Sequence, residues 1–255
     1  MKVRFLGAHN TESLSTRMVS LLVDGKIALD AGGLTSALSI EEQLGLEAVL
    51  LTHGHYDHIR DIPTLGMNLF LNKCQTVLYG HPSVKEILAT RWLDGIVYTA
   101  FFQRPADKPV FRFETIDNGQ VLKIHGFKVT AVAVPHPLPA IGYSLTSPEG
   151  KTLFFSGDTG PDIARSLARV APDVLVIEVT APNRLQESVR PSGHLTPDLL
   201  RQELTEFRNV SGYVPTVYCV HMNASLEKEI SVELTALSRD GLDVRLASEG
   251  LEINL

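Results

Sequence analysis

Thr-His-Gly-His-Tyr-Asp-His, at residues 52–58, directly follows the apolar run Ala-Val-Leu-Leu. Imidazole and carboxylate groups are the protein ligands that suit Zn²⁺, Mn²⁺ or Fe, and this segment offers four of them within six residues. The apolar run has the length and composition of a buried strand. If the chain stays extended after it, His53, His55 and Asp57 point to one side and His58 faces another. One strand end can therefore serve two neighbouring metal positions, whereas a polar loop rich in histidine by chance would not need this order.

Three later segments each add a histidine or an aspartate near the end of an apolar stretch. His136 lies between two prolines, Asp158 lies in Ser-Gly-Asp-Thr-Gly, and His221 follows Tyr-Cys-Val. Taken alone, His136 is typical of a loop, Asp158 of a turn, and His221 of a helix cap or a core position. These three residues indicate a metal site only in combination with the cluster at residues 52–58.

The His-x-His-x-Asp-His motif and these later positions resemble the metallo-β-lactamase superfamily over nearly the whole chain. The resemblance implies an α/β fold, the four-layer αβ/βα sandwich, with a site for two divalent metal ions. Zn²⁺ is the expected metal, and Mn²⁺ and Fe accept the same ligands. By resemblance, one metal is held by His53, His55 and His136, the other is held by Asp57, His58 and His221, and Asp158 bridges the two.

Composition predicts one globular enzyme domain over residues 1–255. Apolar residues make up 44% of the chain and charged residues 20%, which excludes a disordered chain, and no apolar run approaches the ~20 residues that span a bilayer. No signal peptide is expected at the start. Cys74 and Cys219 have no partner at metal-binding spacing, which favours a reduced, cytoplasmic protein. The net charge of −6 argues against a broad basic face, so nucleic acid is not an expected partner.

Periodicity and turn residues predict an order of elements that suits this sandwich, with the first half ending near residue 135. Pro63 is expected to limit the helix that begins at Asp57. Strands are predicted at residues 2–6, 18–24, 26–31, 48–51, 75–79, 111–115, 121–124, 127–134, 141–146, 151–155, 173–178, 215–220, 242–246 and 251–254. Helices are predicted at residues 36–44, 57–65, 82–92, 161–169, 196–207 and 224–238.

A second motif, Ser-Gly-His-Leu-Thr-Pro, occurs within residues 177–198. In one interpretation Thr196 caps a helix, Pro197 occupies its first turn, and His194 is merely exposed. In the other, His194 lies beside the metals, where it can bind phosphate or protonate a leaving oxygen. Glu178, at the end of an apolar strand, could then orient that imidazole.

The second motif resembles the class II cyclic-nucleotide phosphodiesterases, in which a strand ending in Glu-x-Ser/Thr precedes Ser-Gly-His-Leu-Thr-Pro. The same Glu and His are similar to those of ribonuclease Z, but the basic, glycine-rich arm that ribonuclease Z usually carries for tRNA has no counterpart in this sequence. The resemblance therefore implies a small-molecule phosphodiester substrate, a 3′,5′-cyclic nucleotide such as cAMP, opened to the 5′-monophosphate. It also allows a homodimer.

Two cations at such a site would make water a nucleophile at neutral pH and neutralise charge on the phosphate. Asp57 is expected to take up a proton besides holding a metal, and His194 is expected to contact the substrate. The segment from residue 91 to 102 offers Tyr98 and Phe101 for stacking on a base, with core packing as the alternative. Three other classes stay open: a ribonuclease Z-like enzyme, a thioester, lactone or di-iron enzyme on the same fold, and a metal-bound scaffold without activity.

Overall fold

Two seven-stranded sheets form the centre of the molecule, and the computed structural model describes every residue from 1 to 255. The first sheet contains, in spatial order, β14 (Glu252–Asn254), β1 (Lys2–Gly7), β2 (Ser20–Val23), β3 (Ile27–Leu29), β4 (Ala48–Leu50), β5 (Thr76–Gly80) and β6 (Phe111–Thr115). The second sheet contains, in spatial order, β13 (Val244–Leu246), β12 (Thr216–Val220), β11 (Val174–Glu178), β10 (Thr152–Phe155), β9 (Ile141–Thr146), β8 (Phe127–Ala133) and β7 (Val121–Ile124).

Each sheet joins an antiparallel part to a parallel part. In the first sheet β14, β1, β2 and β3 pair antiparallel and β3 to β6 pair parallel. In the second, β7 to β10 pair antiparallel and β10 to β13 pair parallel. The predicted boundary near residue 135 is wrong, because the tight hairpin of β7 and β8 pairs with β9 and so belongs to the second half. The last strand, β14, returns to the first sheet beside β1.

Helices cover the outer faces of both sheets. Beside the first sheet lie α1 (Leu34–Ala37), α2 (Ile40–Leu44), α3 (Tyr56–Ile59), α4 (Ile62–Leu71) and α5 (Pro82–Ile87), which a π-helical turn (Leu88–Trp92) extends. The second half supplies α6 (Ala164–Val170), α7 (Gln186–Val189), α8 (Pro197–Ser211) and α9 (Glu227–Leu237), with 3-10 turns at Asn183–Leu185, Arg190–Ser192 and Ser238–Asp240.

Two hydrophobic clusters hold these layers together. The larger has 47 buried residues, among them Phe5 of β1 and Phe154 of β10, and it joins the two sheets. The smaller has 20 buried residues and lies between the first sheet and its helices, with Leu65 of α4 and Val84 of α5 as members. The predicted αβ/βα sandwich is therefore confirmed. No helix combines the length and the apolar character needed to cross a membrane.

Two predicted helices differ from those observed. The helix predicted at residues 36–44 is broken, because Ser39 has extended backbone angles and caps α2, where it forms a capping box with Glu42. The helix predicted at residues 57–65 is divided, because α3 ends at Ile59 and a second helix, α4, begins at Ile62. Pro63 therefore limits the first helix as predicted, and it lies in the first turn of the second, where no intrahelical N–H bond is lost.

Candidate metal centre

The loop that carries the histidine-rich motif begins at the carboxyl end of β4, a strand paired in parallel with β3 and β5. The carboxyl ends of parallel strands open at one edge of a sheet, which is where ligands bind in such folds. His55 is the residue before α3, so Asp57 lies in a helical turn and not in an extended chain. The helix turns Asp57 away from His53 and His55. The prediction that these three side chains point to one side is therefore wrong for Asp57.

The first cluster of candidate metal ligands draws on three segments. Nε2 of His53 lies 2.9 Å from Nδ1 of His55 and 3.5 Å from Oδ2 of Asp158. His136, in the loop after β8, has its Nε2 3.3 Å from Nδ1 of His55. One ligand atom from each of these four residues lies within 4.8 Å of the others, which is close enough for a single cation.

The second cluster contains the remaining predicted ligands. Nε2 of His221, directly after β12, lies 3.0 Å from Oδ2 of Asp57 and 3.3 Å from Oδ1 of Asp158. Nε2 of His58 lies 3.6 Å from Oδ2 of Asp57 and 3.1 Å from Oδ1 of Asp158. Asp158 therefore turns one carboxylate oxygen to each cluster, and the partition of all seven side chains matches the predicted one.

Unpaired buried atoms indicate that the residues fit a cation. Nε2 of His58 and Oδ1 of Asp158 are buried and form no hydrogen bond, although they lie 3.1 Å apart. A buried polar atom without a partner is costly, and a bound ion is one of the few ways to satisfy it. The donors are imidazole nitrogens and carboxylate oxygens, which suit Zn²⁺, Mn²⁺ or Fe.

The pKa shifts favour the metal-coordinating protonation state in His53, His136 and Asp158, but the protonated state in His58. Burial lowers the pKa of His53 well below its usual value and lowers that of His136 to about 4, so both imidazoles are neutral. Burial opposes ionisation of Asp158, but His221 and His58 hold the pKa of Asp158 well below its usual range. Burial also opposes protonation of His58, but Asp158 and other carboxylates raise the pKa of His58 well above its usual value. A cation that binds here would therefore displace a proton from His58.

Asp30 supports both clusters and was missed by the sequence analysis, which assigned it to a strand. Its Oδ2 lies 2.7 Å from Nδ1 of His58, and the same oxygen accepts a 2.9 Å bond from the hydroxyl of Thr52. That hydroxyl lies 3.0 Å from Nδ1 of His53. Asp30 is fully buried and has a left-handed φ of 56° directly after β3. The available signal was an acidic residue followed by Ala-Gly-Gly at the end of an apolar strand.

Glu178 and His194 meet beside the second cluster. Glu178 ends β11, is fully buried, and its Oε1 lies 2.8 Å from Nδ1 of His194. Its Oε2 accepts a 2.8 Å bond from the hydroxyl of Thr180, and that hydroxyl lies 2.8 Å from Nδ1 of His221. The imidazole rings of His194 and His221 stack with centroids 5.4 Å apart. One buried carboxylate thus orients a candidate ligand and a second imidazole that stacks on it.

The second motif forms the helix start of the first interpretation, and its His194 lies beside the candidate ligands as in the second. Thr196 caps α8, with its hydroxyl oxygen 3.5 Å from the backbone nitrogen of Leu199, and Pro197 is the first helical residue. His194 is not merely exposed, since its side chain keeps only 17% of its surface accessible. Burial alone would lower the pKa of His194, but the hydrogen bond to Glu178 and the charge of Glu178 raise it to about 9.

The aromatic residues considered for base stacking differ in their burial and in what they pack against. Phe101 is fully buried among Phe70, Tyr98 and Phe111, so the core-packing alternative is the correct one for Phe101. Tyr98 is half-buried and packs against the smaller hydrophobic cluster. Trp92, at the other end of the segment, instead packs on the metal loop through Tyr56.

Sequence comparison finds that this chain is similar to ribonucleases Z and to a metal-dependent hydrolase. A ribonuclease Z from Bradyrhizobium sp. (strain ORS 278) is 29% identical in an alignment that covers 59% of this chain and 65% of the relative. A metal-dependent hydrolase from Myxococcus xanthus (strain DK1622) is 25% identical over 66% of this chain and 65% of its own length. The chain thus spans just under two thirds of these two relatives.

The solved structure of unliganded yeast PDE1 superposes with a TM-score of 0.82, covering 100% of this chain and 99% of that one at 15% identity, which supports the fold alone. The sequence pattern of the family described as Beta-lactamase superfamily domain matches residues 29–222. That range includes Asp30, all seven candidate ligands, Glu178 and His194. The chain therefore belongs to the beta-lactamase superfamily and has the metallo-β-lactamase fold.

Proposed function

We propose that this protein is a metal-dependent hydrolase that cleaves small phosphodiesters, with 3′,5′-cyclic nucleotides such as cAMP as substrates and 5′-monophosphates as products. The observation that carries the proposal is the pair of His194 and Glu178 beside seven converging metal-ligand side chains. Seven side chains already complete two candidate metal positions, so an eighth polar group beside them has another role. A positioned imidazole next to a metal centre suits a reaction in which an oxygen must leave with a proton.

The metal ions would be held as the two clusters divide them, with His53, His55 and His136 on one ion, Asp57, His58 and His221 on the other, and Asp158 on both. When bound, such ions lower the pKa of water and neutralise the negative charge that builds up on an attacked phosphate. The unpaired buried atoms of His58 and Asp158 support this occupancy. Zn²⁺ is the first expectation, and Mn²⁺ and Fe fit the same donors.

We assign His194 the role of donating a proton to the leaving oxygen of the substrate. Its Nδ1 donates to Oε1 of Glu178 at 2.8 Å, so Nε2 is the ring nitrogen left for a substrate. Glu178 is fully buried and also accepts a hydrogen bond from Thr180, which fixes the carboxylate. Oriented in this way, the imidazole donates a proton to the 3′ oxygen as the bond to phosphorus breaks, or it neutralises the phosphate.

We assign Asp57 the role of accepting the proton that the attacking water loses. Its side chain keeps 22% of its surface exposed, whereas that of Asp158 keeps 2%, so Asp57 is the ligand carboxylate that solvent reaches. His221 fixes the orientation of Asp57 through the 3.0 Å contact between Nε2 and Oδ2. A proton that reaches Asp57 can therefore leave the site to bulk water.

Ribonuclease Z is the second candidate function, because a relative of 29% identity carries that name. Recognition of tRNA through several phosphates favours clustered Lys and Arg side chains. This chain has 29 acidic and 23 basic residues and a net charge of −6, and its sequence has no basic arm. The charge balance supports a small substrate over tRNA. It also supports a small molecule as the main partner of the site.

Substrate profiling of the metal-loaded protein tests the proposal. The panel contains bis-p-nitrophenyl phosphate, cAMP, a precursor tRNA and a thioester, each with wild type and with His194→Ala. We expect turnover of the first two, loss of that turnover in His194→Ala, and little cleavage of the precursor tRNA. Efficient tRNA trimming without cleavage of cAMP would favour ribonuclease Z over the small-molecule phosphodiesterase. Thioester cleavage alone would refute the phosphodiesterase assignment.

The cellular compartment is part of the same proposal. Cys74 and Cys219 are both free, and Cys219 is fully buried in β12. Free cysteines persist in reducing compartments, because oxidising ones favour disulfides. We therefore expect the protein to act in the cytoplasm, where cyclic nucleotides are available as substrates.

A further inference from the structure

Tyr56 and Trp92 form a stacked aromatic pair next to the metal centre. Their ring centroids lie 5.6 Å apart and their planes differ by 29°. Tyr56 stands between His55 and Asp57 in the metal loop, yet its side chain takes no part in either ligand cluster. It keeps 51% of its surface exposed, whereas Trp92 is half-buried against the smaller hydrophobic cluster. The Trp92 side of the pair therefore packs against the protein, and the Tyr56 side is exposed to solvent.

Two local features hold Trp92 against the metal loop. A side chain at Gly54 would lie only 2.4 Å from Cδ1 of Ile87, so α5 packs directly on the loop that carries His53 and His55. The chain then leaves α5 through the π-helical turn, closed by a 2.7 Å bond from the nitrogen of Leu93 to the oxygen of Leu88. A π turn changes the direction of the side chains that follow it, and such turns are frequent at functional sites.

A single exposed tyrosine needs no explanation, but this pair differs from scattered surface residues. Trp92 is the only tryptophan in the chain. The turn after it exposes Ile96 and Val97, which keep 90% and 61% of their surfaces accessible. Exposed apolar side chains thus occur on both chain segments that meet at the stack of Tyr56 and Trp92, and one of these segments also carries polar metal-ligand side chains. A substrate with a charged group and a flat apolar group matches that division.

We propose that Tyr56, supported by Trp92, stacks on a flat aromatic ring of the substrate, such as a nucleobase, while the phosphate lies at the metal centre. The proposal rests on the proposed function, because it names the part of the substrate that lies outside the metal ligands. Aromatic side chains stack on any base, since every base has a π face. The pair therefore selects substrates that carry a base over those that carry a phosphate and sugar alone, without choosing strongly among bases.

Two matched probes test the inference on the metal-loaded protein. AMP carries phosphate, ribose and base, and ribose 5-phosphate lacks only the base. Calorimetric titration measures both affinities, and the fluorescence of Trp92 reports on the stacking site because no other tryptophan contributes. We expect AMP to bind about 10- to 100-fold more tightly than ribose 5-phosphate, and to change Trp92 emission.

Variants of Tyr56 test whether this side chain causes the preference for AMP. Tyr56→Ala should remove most of the preference for AMP and leave ribose 5-phosphate affinity nearly unchanged, and Tyr56→Phe should keep the preference because its ring can still stack. Tyr213→Ala, a change at a partly exposed tyrosine after the distal end of α8, should keep it as well. Equal binding of the two probes to wild type, including no binding of either, would overturn the proposal, as would an undiminished preference in Tyr56→Ala.

The test separates this inference from the proposed function. A clear AMP preference without hydrolysis of cAMP or bis-p-nitrophenyl phosphate would uphold the stacking surface and refute the phosphodiesterase assignment. Hydrolysis of both substrates, together with equal affinity for AMP and ribose 5-phosphate, would uphold the phosphodiesterase assignment and refute the stacking surface.

Discussion

Oδ2 of Asp30 lies 2.7 Å from Nδ1 of His58, and neither side chain exposes more than 1% of its surface. The same carboxylate accepts hydrogen bonds from the backbone nitrogen and the hydroxyl of Thr52, and that hydroxyl lies 3.0 Å from Nδ1 of His53. A carboxylate behind a metal-binding histidine fixes the ring and makes its free nitrogen a better ligand. Asp30 therefore orients one histidine in each of the two clusters.

Asp30→Asn should weaken metal binding by about 10- to 100-fold, because His58 loses its charged acceptor while the side-chain shape is kept. Competition with a coloured chelator measures the affinity. Asp117→Asn, a change of an exposed acid, serves as the matched control and should leave the affinity unchanged. Wild-type affinity in Asp30→Asn would show that the carboxylate has only a packing role.

His53→Ala and His194→Ala should separate ligand from non-ligand. The first should lower both metal content and rate, because it removes a bond to the metal. The second should leave the metals bound and slow turnover of a cyclic nucleotide by ~10²–10⁴-fold if His194 is a general acid. Elemental analysis and kcat provide the two readouts. Loss of metal in His194→Ala would make it a ligand, and an unchanged rate would reduce the second motif to a helix start.

Glu178→Gln should resemble His194→Ala in a weaker form. The amide keeps the volume of the buried side chain but removes the negative charge that holds Nδ1 of His194 at 2.8 Å. We expect kcat to fall by about 10- to 100-fold, with KM changed less, since orientation matters most as the bond breaks. A variant with the wild-type rate would contradict the orienting role, and a melting curve checks that it is folded.

The two thiols should differ in reactivity. Burial raises the pKa of Cys219 far above its usual value, and the side chain in β12 has no exposed surface. Cys74 lies at a partly exposed position after α4. A thiol reagent at pH 8 should therefore label one cysteine per folded chain and two in denaturant, with mass spectrometry of peptides to identify the site. Rapid labelling of Cys219 in the native protein would contradict the observed packing.

The sequence was sufficient to group the seven candidate ligands because four of them are neighbours in the chain. Once that cluster indicated a metal site, the strand ends carrying His136, Asp158 and His221 followed from the superfamily's ligand order. The division between the two clusters held even though Asp57 turned out to lie in a helix. The choice of candidate ligands thus depended on residue type and order, which the sequence displays directly.

Asp30 and Thr180 were not predicted as parts of the centre, because their roles depend on contacts distant in sequence. The hydrogen bond that His58 donates to Asp30 joins residues 28 positions apart, and the contact between Thr180 and His221 joins residues 41 positions apart. Phe101 illustrates a choice that the sequence leaves open, since aromatic composition does not reveal whether a ring is buried in the core or open to a substrate. Tyr56 lies within the histidine-rich motif, but its stacking on Trp92 appears only in three dimensions.

The most direct measurement is the rate of bis-p-nitrophenyl phosphate hydrolysis as metal is added back to metal-free protein in known equivalents. Two ions would occupy the clusters joined by Asp158. We predict that the rate rises until two equivalents are bound per chain and then stays constant. A plateau at one equivalent, or no hydrolysis when two are bound, would contradict the account of a two-metal phosphodiesterase.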